Sequence, residues 1–261
     1  MKYSGKDRKV SKNIAVIFAG GSGIRMGSGM PKQFLKINGQ PIIIYTLEIF
    51  EDSPDIDEIY IACKEDYISK MKKYIRRYQL QKVKKIVPGG VTALDSIYNG
   101  LTAVAEENDP DSIVLIHDGV RPFIPDSIIT RNIECVEKYG SAITCTPMYE
   151  TPVRSDGGEL IEEVIPRDVM FTAQAPQSFR LGDIKKAYED VRSQGSTADL
   201  VDSCSIYKKA GHDVALVRGN RGNIKVTTPE DLYLFRGLLN YKETQQTMGF
   251  TDREMEADYK K

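Results

Sequence analysis

The sequence is poor in the residues that build metal and redox centres. It has only two histidines, His117 and His212, so a histidine-rich metal site is excluded. The chain has four cysteines, and their spacing does not match a metal-ligand motif, so reduced thiols are expected. They are Cys63, Cys135, Cys145 and Cys204. Any chemistry must therefore be carried by other side chains.

The sequence also lacks an excess of charge and any long apolar run. Its 36 basic and 37 acidic residues leave a net charge of −1, which gives no argument for a nucleic-acid or membrane partner. The basic start of the chain is not followed by the apolar core of a signal peptide, and no apolar run is long enough to span a membrane. We expect a cytoplasmic protein. A chain of 261 residues, 41% hydrophobic, can form one domain over 1–261.

Strand and helix signals alternate along the first part of the chain. Short β-rich runs occur at Asn13–Phe18, Glu58–Ala62, Lys84–Val87, Ser112–His117 and Ala142–Cys145. Helical apolar spacing between them is clearest at Ile43–Phe50, Ser96–Ala105 and Ile128–Tyr139. This alternation predicts an α/β, Rossmann-like fold, with a mostly parallel twisted sheet covered by helices on both faces.

The most informative segment is the glycine-rich loop that follows the first predicted strand, within residues 19–35. Glycine has no Cβ, so backbone N–H groups can approach a polyanion closely. Arg25 and Lys32 add positive charge to the same loop. The loop therefore predicts a phosphate-rich ligand such as a nucleotide, and its candidate contact residues are Ala19, Gly20, Gly21 and Gly23.

Other uses of such a loop fit less well. Gly21 and Gly23 resemble the start of a dinucleotide-binding fingerprint. A dinucleotide turn opens directly into a helix, however, and Met30-Pro31 interrupts a helix here. The lysine that follows Pro31 does not match the Gly-Lys-Ser/Thr ending of a Walker loop either. A plain surface loop remains the alternative.

Residues 19–35 resemble the signature of nucleotidyltransferases that make CDP-alcohols from CTP, specifically the family of methylerythritol-phosphate and ribitol-phosphate cytidylyltransferases. The resemblance continues through ordered motifs at Gly89-Gly90, Asp95 to Leu101, His117 to Pro122, Ala175 to Phe179 and Asn223 to Leu232. These motifs cover most of the chain. The resemblance implies an enzyme that joins CMP from CTP to a polyol phosphate and releases pyrophosphate.

Such a reaction requires neutralisation and alignment of phosphates rather than a covalent enzyme nucleophile. Arg25 and Lys32 are the first candidates for catalytic cations. Lys225 is the third, because the resemblance places it close to the α-phosphate, and it lies in an apolar run just before a Thr-Thr-Pro-Glu helix start. A solvated surface charge is the alternative for any single lysine.

Asp118 follows a predicted strand, as the glycine loop does. Ligands of open α/β sheets bind outside the carboxyl ends of the strands, so both should face one crevice. Asp118 is the candidate ligand for Mg²⁺ on the nucleotide phosphates, and a turn cap is its alternative role. Arg121 either shapes this loop or contacts phosphate. His117 is interpreted as a structural hydrogen-bonding residue, because an ionised phosphate needs no general base.

A second loop, which enters a predicted helix, contains Gly89, Gly90, Asp95 and Ser96. The resemblance implies that this region binds the cytosine base and the ribose of the nucleotide. Backbone groups would recognise the pyrimidine, and Ser96 would donate a hydrogen bond to it.

Residues 147–174 interrupt the α/β alternation with several prolines and an Asp156-Gly157-Gly158 turn, which predicts a protruding β-hairpin arm. The resemblance implies that this arm grips a second subunit, forming a homodimer. It also implies that Thr151 and Arg167 contribute to the partner's polyol-phosphate site. Arginine suits bidentate capture of phosphate. An exposed hairpin with a surface ion pair is the alternative.

The sequence departs from the family pattern at Ala93, where an arginine is typical, and at Ala175, where many members have threonine. The identity of the acceptor substrate depends on these departures. Gly20-Gly21, residues 30–34 and residues 120–123 favour the pentitol-phosphate branch, with the methylerythritol-phosphate enzyme of isoprenoid synthesis as the alternative. A sugar-phosphate nucleotidyltransferase and a non-catalytic nucleotide-binding module are the further alternatives.

Overall fold

The computed structural model describes residues 11–21, 29–195 and 199–248 of the chain. Its strands are β1 (Asn13–Ala19), β2 (Lys36–Ile37), β3 (Gln40–Pro41), β4 (Glu58–Cys63), β5 (Val83–Pro88), β6 (Ile113–Asp118), β7 (Ser141–Pro147), β8 (Val153–Arg154), β9 (Glu163–Val164), β10 (Phe171–Arg180) and β11 (Leu216–Arg218). Its helices are α1 (Ile42–Asp52), α2 (Ile68–Arg77), α3 (Ala93–Glu107), α4 (Asp126–Tyr139), α5 (Leu181–Ser193), α6 (Ser203–Lys209) and α7 (Pro229–Thr247).

The central sheet of the described residues has seven strands in the order β11-β7-β10-β6-β1-β4-β5. Neighbouring strands pair in parallel from β6 through β1 and β4 to β5, and β11 is parallel to β7. Only β10 among these strands runs antiparallel, to both β6 and β7. The predicted α/β fold with a mostly parallel sheet is confirmed.

The strands at the centre of the sheet are buried on both faces, which is why they read as unbroken apolar runs. Successive side chains of β1 point to opposite faces, so Ile17 packs into one core cluster and Val16 into the other. Helices α1, α2 and α4 cover the first face through residues such as Phe50, and α3, α5 and α6 cover the second through residues such as Tyr188. Helices on both faces were predicted and are found.

The strand register aligns the carboxyl ends of the parallel strands. Ala19 of β1 is opposite Cys63 of β4, and Cys63 is opposite Pro88 of β5. On the other side, Phe18 is opposite Asp118 of β6. The loops that follow β1, β5 and β6 therefore leave the sheet at one edge, which places Gly20, Gly89 and Asp118 at the same edge of the sheet.

The predicted arm lies between the long strands β7 and β10. Its tip is an antiparallel β8–β9 hairpin in which Val153 pairs with Val164, so the predicted hairpin is confirmed with the Asp-Gly-Gly turn inside its loop. Strand β10 joins the arm to the core, since it is exposed from Phe171 to Ala173 and buried from Ala175 to Phe179.

The last described helix, α7, packs Phe235 against Ile42 and Val226. Helix α7 continues to Thr247, and residues after 248 lie outside the described part. No helix within the described ranges is long and apolar enough to cross a lipid bilayer.

Candidate functional site

Asp118 holds two cationic side chains at the end of β6. Its Oδ1 lies 2.6 Å from Nζ of Lys225, and its Oδ2 lies 2.9 Å from Nε of Arg121. The carboxylate is 9% exposed, whereas the Lys225 side chain is 44% exposed and so reaches toward solvent. Two cations around one carboxylate leave a net positive charge, which favours binding of a polyanion.

Local backbone geometry explains why Lys225 reaches Asp118. The N–H of Val226 donates to the carbonyl oxygen of Val120 at 2.9 Å, which ties this segment to the loop after β6. Val226 is fully buried against Ile42 and Phe235. In an extended segment neighbouring side chains point to opposite sides, so burial of Val226 directs Lys225 outward. Helix α7 begins directly afterwards, where Asp231 accepts hydrogen bonds from the backbone N–H groups of Thr227 and Thr228.

The neighbouring cations keep Asp118 ionised. Burial raises the pKa of its carboxyl group, but Lys225 and Arg121 lower it more strongly, and the resulting pKa lies below its ordinary value. An ionised carboxylate keeps both cations oriented. It also retains unused lone pairs on its oxygens.

His117 supports the same loop from the protein interior. Its Nε2 is 3.1 Å from the carbonyl oxygen of Arg121, so Nε2 must carry the proton and donate. Burial lowers the pKa of His117 to about 4, so the ring is neutral near pH 7. His117 also packs edge-on against Phe50, at 5.0 Å between ring centroids. These contacts match the predicted structural role.

The described part of the glycine loop is held by Gln33. Its Nε2 donates to the carbonyl oxygens of Ala19 at 2.7 Å and of Gly21 at 3.4 Å. Lys32 precedes it at the start of a short 3-10 helix and is 8% exposed. The candidate residues Gly23 and Arg25 lie outside the described residues, so their predicted contacts stay predictions.

Ser96 joins the glycine loop to the second nucleotide loop. A Cβ added to Gly20 would lie 2.6 Å from Ser96 Oγ, and one added to Gly89 would lie 3.0 Å from it. The same oxygen accepts from the N–H of Gly90 at 3.0 Å and donates to the carbonyl oxygen of Thr92 at 3.0 Å. In this conformation the hydroxyl proton of Ser96 points to Thr92 rather than to the crevice, so Ser96 shapes both loops.

Asp95 caps α3. It forms a reciprocal capping box with Thr92, whose Oγ1 accepts from the Asp95 N–H at 3.1 Å. Asp95 Oδ1 also lies 2.7 Å from Nη1 of Arg192 on α5. This hydrogen bond with Arg192 is the main reason that the pKa of Asp95 is lowered. Gly90 lies against it, because an added Cβ would be 2.1 Å from Asp95 Cβ.

The candidate acceptor residues lie on the exposed arm. Thr151 is exposed, and Arg167 is exposed with its Nη1 donating to the carbonyl oxygen of Tyr149 at 2.9 Å. The structure thus brings Lys225 and Asp118 into contact, and Gly20, Gly89 and Ser96 into contact. Thr151 and Arg167 are placed at the arm.

The sequence analysis missed a second set of hydrogen bonds beside Lys225. Gln174 Nε2 donates to the carbonyl oxygens of Asn220 at 3.1 Å and Asn223 at 3.3 Å. Asn223 O also accepts from Nη1 of Arg121 at 2.8 Å. The available sequence signal was a pair of amide residues: Gln174 directly precedes the Ala175 motif, and Asn223 is the first residue of the motif that contains Lys225.

The donor set near Asp118 fits one kind of metal. In the described ranges no three His, Cys, Asp or Glu residues are grouped as a metal site. Mg²⁺ commonly binds one or two carboxylates together with substrate phosphates. A single carboxylate with free lone pairs beside two phosphate-attracting cations therefore suits Mg²⁺ that arrives with a nucleotide.

The chain is similar in sequence and in fold to known proteins. The family model for 2-C-methyl-D-erythritol 4-phosphate cytidylyltransferase (IspD) matches residues 13–240. The chain is 47% identical to the ribitol-5-phosphate cytidylyltransferase of Vibrio parahaemolyticus, over 91% of this chain and 100% of that protein. It is 40% identical to the 2-C-methyl-D-erythritol 4-phosphate cytidylyltransferase of Clostridium acetobutylicum, over 89% of this chain and 100% of that one. The crystal structure of 4-diphosphocytidyl-2C-methyl-D-erythritol synthase from Anaerococcus prevotii is 29% identical, with a TM-score of 0.76, over 88% of this chain and 96% of that one.

Proposed function

We propose that this chain, which belongs to the 2-C-methyl-D-erythritol 4-phosphate cytidylyltransferase (IspD) family, transfers CMP from CTP to a pentitol phosphate such as ribitol 5-phosphate. Family membership makes it a cytidylyltransferase. The observation that carries the choice of acceptor is the 47% identity to a ribitol-5-phosphate cytidylyltransferase over 91% of the chain. The cationic site at Asp118 supports the transfer chemistry.

In the proposed reaction an oxygen of the acceptor phosphate attacks the α-phosphorus of CTP. A new P–O bond forms, the bond from the α-phosphorus to the oxygen that bridges to the β-phosphate breaks, and its electron pair leaves with pyrophosphate. The attacking phosphate is already ionised, so no enzyme base is needed. The enzyme must align two anionic substrates and offset the negative charge of the transition state.

Lys225 is suited to stabilise charge at the α-phosphate, because Asp118 fixes its ammonium group 2.6 Å away while the side chain stays solvent-facing. We assign Lys32 and Arg25 to the phosphates from the glycine loop. Arg121 keeps Asp118 ionised from the other side. When bound, Mg²⁺ would be held by Asp118 and would neutralise phosphate charge.

The acceptor site and the oligomer are a further part of the proposal. The arm exposes a set of apolar side chains that a second subunit would cover, and these are Val153, Leu160, Ile161, Val164 and Val169. We propose that the arm forms a homodimer contact, and that Thr151 and Arg167 bind the phosphate of the polyol in the partner's site. All four cysteines are free, which suits action in the reducing cytoplasm, where we place the enzyme.

A second candidate is 2-C-methyl-D-erythritol 4-phosphate as the acceptor. It is favoured by the matching family model and by the 40% identity to the Clostridium acetobutylicum protein. The two candidates share CTP, the reaction and the cationic site. They differ only in the polyol, so acceptor preference separates them.

The decisive experiment is pyrophosphate release by the purified protein with Mg²⁺. Each of CTP, UTP, ATP and GTP is paired with ribitol 5-phosphate, methylerythritol 4-phosphate, glycerol 3-phosphate and a sugar 1-phosphate. We expect release with CTP and ribitol 5-phosphate. The Lys225→Ala variant, prepared in the same way, controls for a contaminating activity.

Each other outcome has a definite meaning. A preference for methylerythritol 4-phosphate would replace the pentitol assignment and keep the reaction. Release with UTP and a sugar 1-phosphate would overturn the nucleotide assignment. Absence of release from every pair, with CTP binding retained in calorimetry, would favour a nucleotide-binding module without turnover.

A further inference from the structure

Gln174 lies where the arm joins the sheet. The pairing of β10 with β7 is regular up to Ala173 and again from Gln177, but its register shifts between these residues. Within this interval the Gln174 side chain leaves the strand and contacts the loop after β11. Its Nε2 donates to the carbonyl oxygens of Asn220 and Asn223, and its Oε1 lies 3.3 Å from Nδ2 of Asn223.

The loop after β11 is shaped to receive this carboxamide. A Cβ added to Gly219 would lie 2.6 Å from Gln174 Oε1 and 2.8 Å from Thr144 Cγ2. The N–H of Gly219 is also fixed, because it donates to the carbonyl oxygen of Cys145 at 2.7 Å. A larger residue at position 219 would therefore displace the Gln174 carboxamide or shift the loop.

Asn223 carries this contact to the cations. It is fully buried, and its Nδ2 donates to the carbonyl oxygen of Ala175 at 2.6 Å. Its own carbonyl oxygen accepts from Gln174 and also from Nη1 of Arg121. Lys225 follows two residues later in the chain. One backbone oxygen thus joins the base of the arm to Arg121, and it lies two residues before Lys225 in the same segment.

We propose that Gln174 is a positioning residue for cytidylyl transfer, which clamps residues 219–223 so that Lys225 and Arg121 meet Asp118 in a fixed geometry. The inference deepens the proposed function and rests on it. It adds that the arm is connected to the catalytic cations through Gln174, because β10, the strand that carries Gln174, continues into the arm.

Loss of this clamp would change the orientation of the cations at Asp118 and leave their charge unchanged. Lys225 is long and partly exposed, so its ammonium group depends on the backbone beneath it for direction. A loosened loop leaves the cations present to attract CTP but less often aligned with the reacting phosphate. The expected signature is a lower kcat with little change in the KM for CTP.

The sequence supplies a matched control on the same strand. Gln177 is buried, whereas Gln174 is half-buried, and Gln177 also forms a carboxamide clamp, because its Nε2 donates to Asp202 Oδ2 at 2.8 Å and its Oε1 accepts from the Cys204 N–H at 2.9 Å. That clamp holds α6 rather than the Lys225 loop. Comparing Gln174→Leu with Gln177→Leu therefore separates the loss of a hydrogen-bonded amide on this strand from the loss of the Lys225 support.

We expect Gln174→Leu to lower the kcat of pyrophosphate release about tenfold or more, with the KM for CTP within about threefold of wild type. We expect Gln177→Leu to keep kcat within about twofold when both are assayed well below their unfolding midpoints. Gln174→Met, which keeps the side-chain length, should behave like Gln174→Leu and serves if the leucine variant does not fold. Equal kcat in wild type and both Gln174 variants would overturn the proposal.

A double-mutant cycle tests whether Gln174 acts through Lys225. Adding Gln174→Leu to Lys225→Ala should lower kcat by only about twofold, because the side chain that is positioned is already absent. A full additional loss would show that Gln174 acts elsewhere.

Amide hydrogen exchange of residues 219–226 gives a readout that needs no turnover. Exchange should quicken in Gln174→Leu and stay at the wild-type rate in Gln177→Leu. If the wild-type protein releases no pyrophosphate but exchange quickens only in Gln174→Leu, the proposed function is wrong and the clamp stands. If the wild-type protein is active but exchange in Gln174→Leu is unchanged, the clamp is wrong.

Discussion

Lys225 Nζ and Asp118 Oδ1 lie 2.6 Å apart although the two residues are far apart in the chain. The contact joins the end of β6 to the segment that precedes α7. It places a half-exposed ammonium group against a nearly buried carboxylate. This arrangement fixes one end of the cation and leaves its outer side for a phosphate.

Replacing the candidate catalytic lysines should impair chemistry more than folding. We expect Lys225→Ala and Lys32→Ala each to raise the barrier by about 2–4 kcal/mol, as for a removed transition-state donor. The measurement is kcat with saturating CTP and acceptor. Lys186→Ala is the control, because Lys186 is 76% exposed and pairs with Asp190 one helical turn away. Near-normal kcat in either test variant would remove that lysine from the catalytic set.

Stability should fall with acidity because of His117. Its pKa in the folded protein is about 4, below the ordinary value of 6.5, so below pH 6.5 the unfolded chain binds a proton that the folded protein does not. The free energy of unfolding should therefore decrease from pH 6.5 to pH 4, by up to about 3 kcal/mol from this group. Urea unfolding at several pH values measures this decrease. In His117→Gln the free energy of unfolding should depend less on pH. An unchanged pH dependence in this variant would show that His117 is not responsible for it.

Removing the partner of Asp95 should weaken CTP binding. Arg192→Ala leaves the carboxylate of Asp95 without its 2.7 Å cationic partner beside the Gly89-Gly90 loop. Without Arg192 the pKa of Asp95 moves back toward its ordinary value of 3.8, so the carboxylate is still ionised at neutral pH and repels the triphosphate. We expect the KM for CTP to rise several-fold with kcat nearly unchanged. Arg192→Lys should restore most of the affinity, and calorimetric titration with CTP provides an independent measurement.

The arm assignment predicts a selective effect on the acceptor. Arg167→Ala should raise the KM for the polyol phosphate and leave CTP binding intact, because Arg167 lies on the exposed arm rather than at Asp118. Arg154→Ala is the control, since Arg154 is also on the arm but is paired with Glu162 and Glu163. Weakened CTP binding in Arg167→Ala would show that the assignment to the acceptor is wrong.

Much of the fold follows from local patterns. Each predicted strand and helix is present, and the ends differ only slightly, as where β1 continues to Ala19 instead of ending at Phe18. The long strand β10 was not foreseen as one element, because its exposed first residues and its irregular register hide the alternation of a strand. Helix α2 also escaped notice, since its many lysines and arginines leave Met71 as its only fully buried residue.

Only the site residues that lie in recognisable sequence motifs could be predicted. Lys225 and Asp118 were singled out separately, and their contact depends on Val226 pairing with Val120, which no local pattern reveals. Gln174 was not singled out, and Asn223 was named only as the first residue of a motif, because a side-chain amide has no charge or periodicity to mark it. Their partners are backbone carbonyls in another part of the chain, which only the folded structure brings close.

The Ser96 hydroxyl has a consequence for how this site can evolve. Gly20 and Gly89 both lie against its oxygen, so an alanine at position 20 requires the Ser96 side chain to move, and an alanine at position 89 requires a shift of a few tenths of an ångström. A displaced hydroxyl would lose the contact that holds Gly90. Substitutions at positions 20, 89 and 96 are therefore coupled through one oxygen atom.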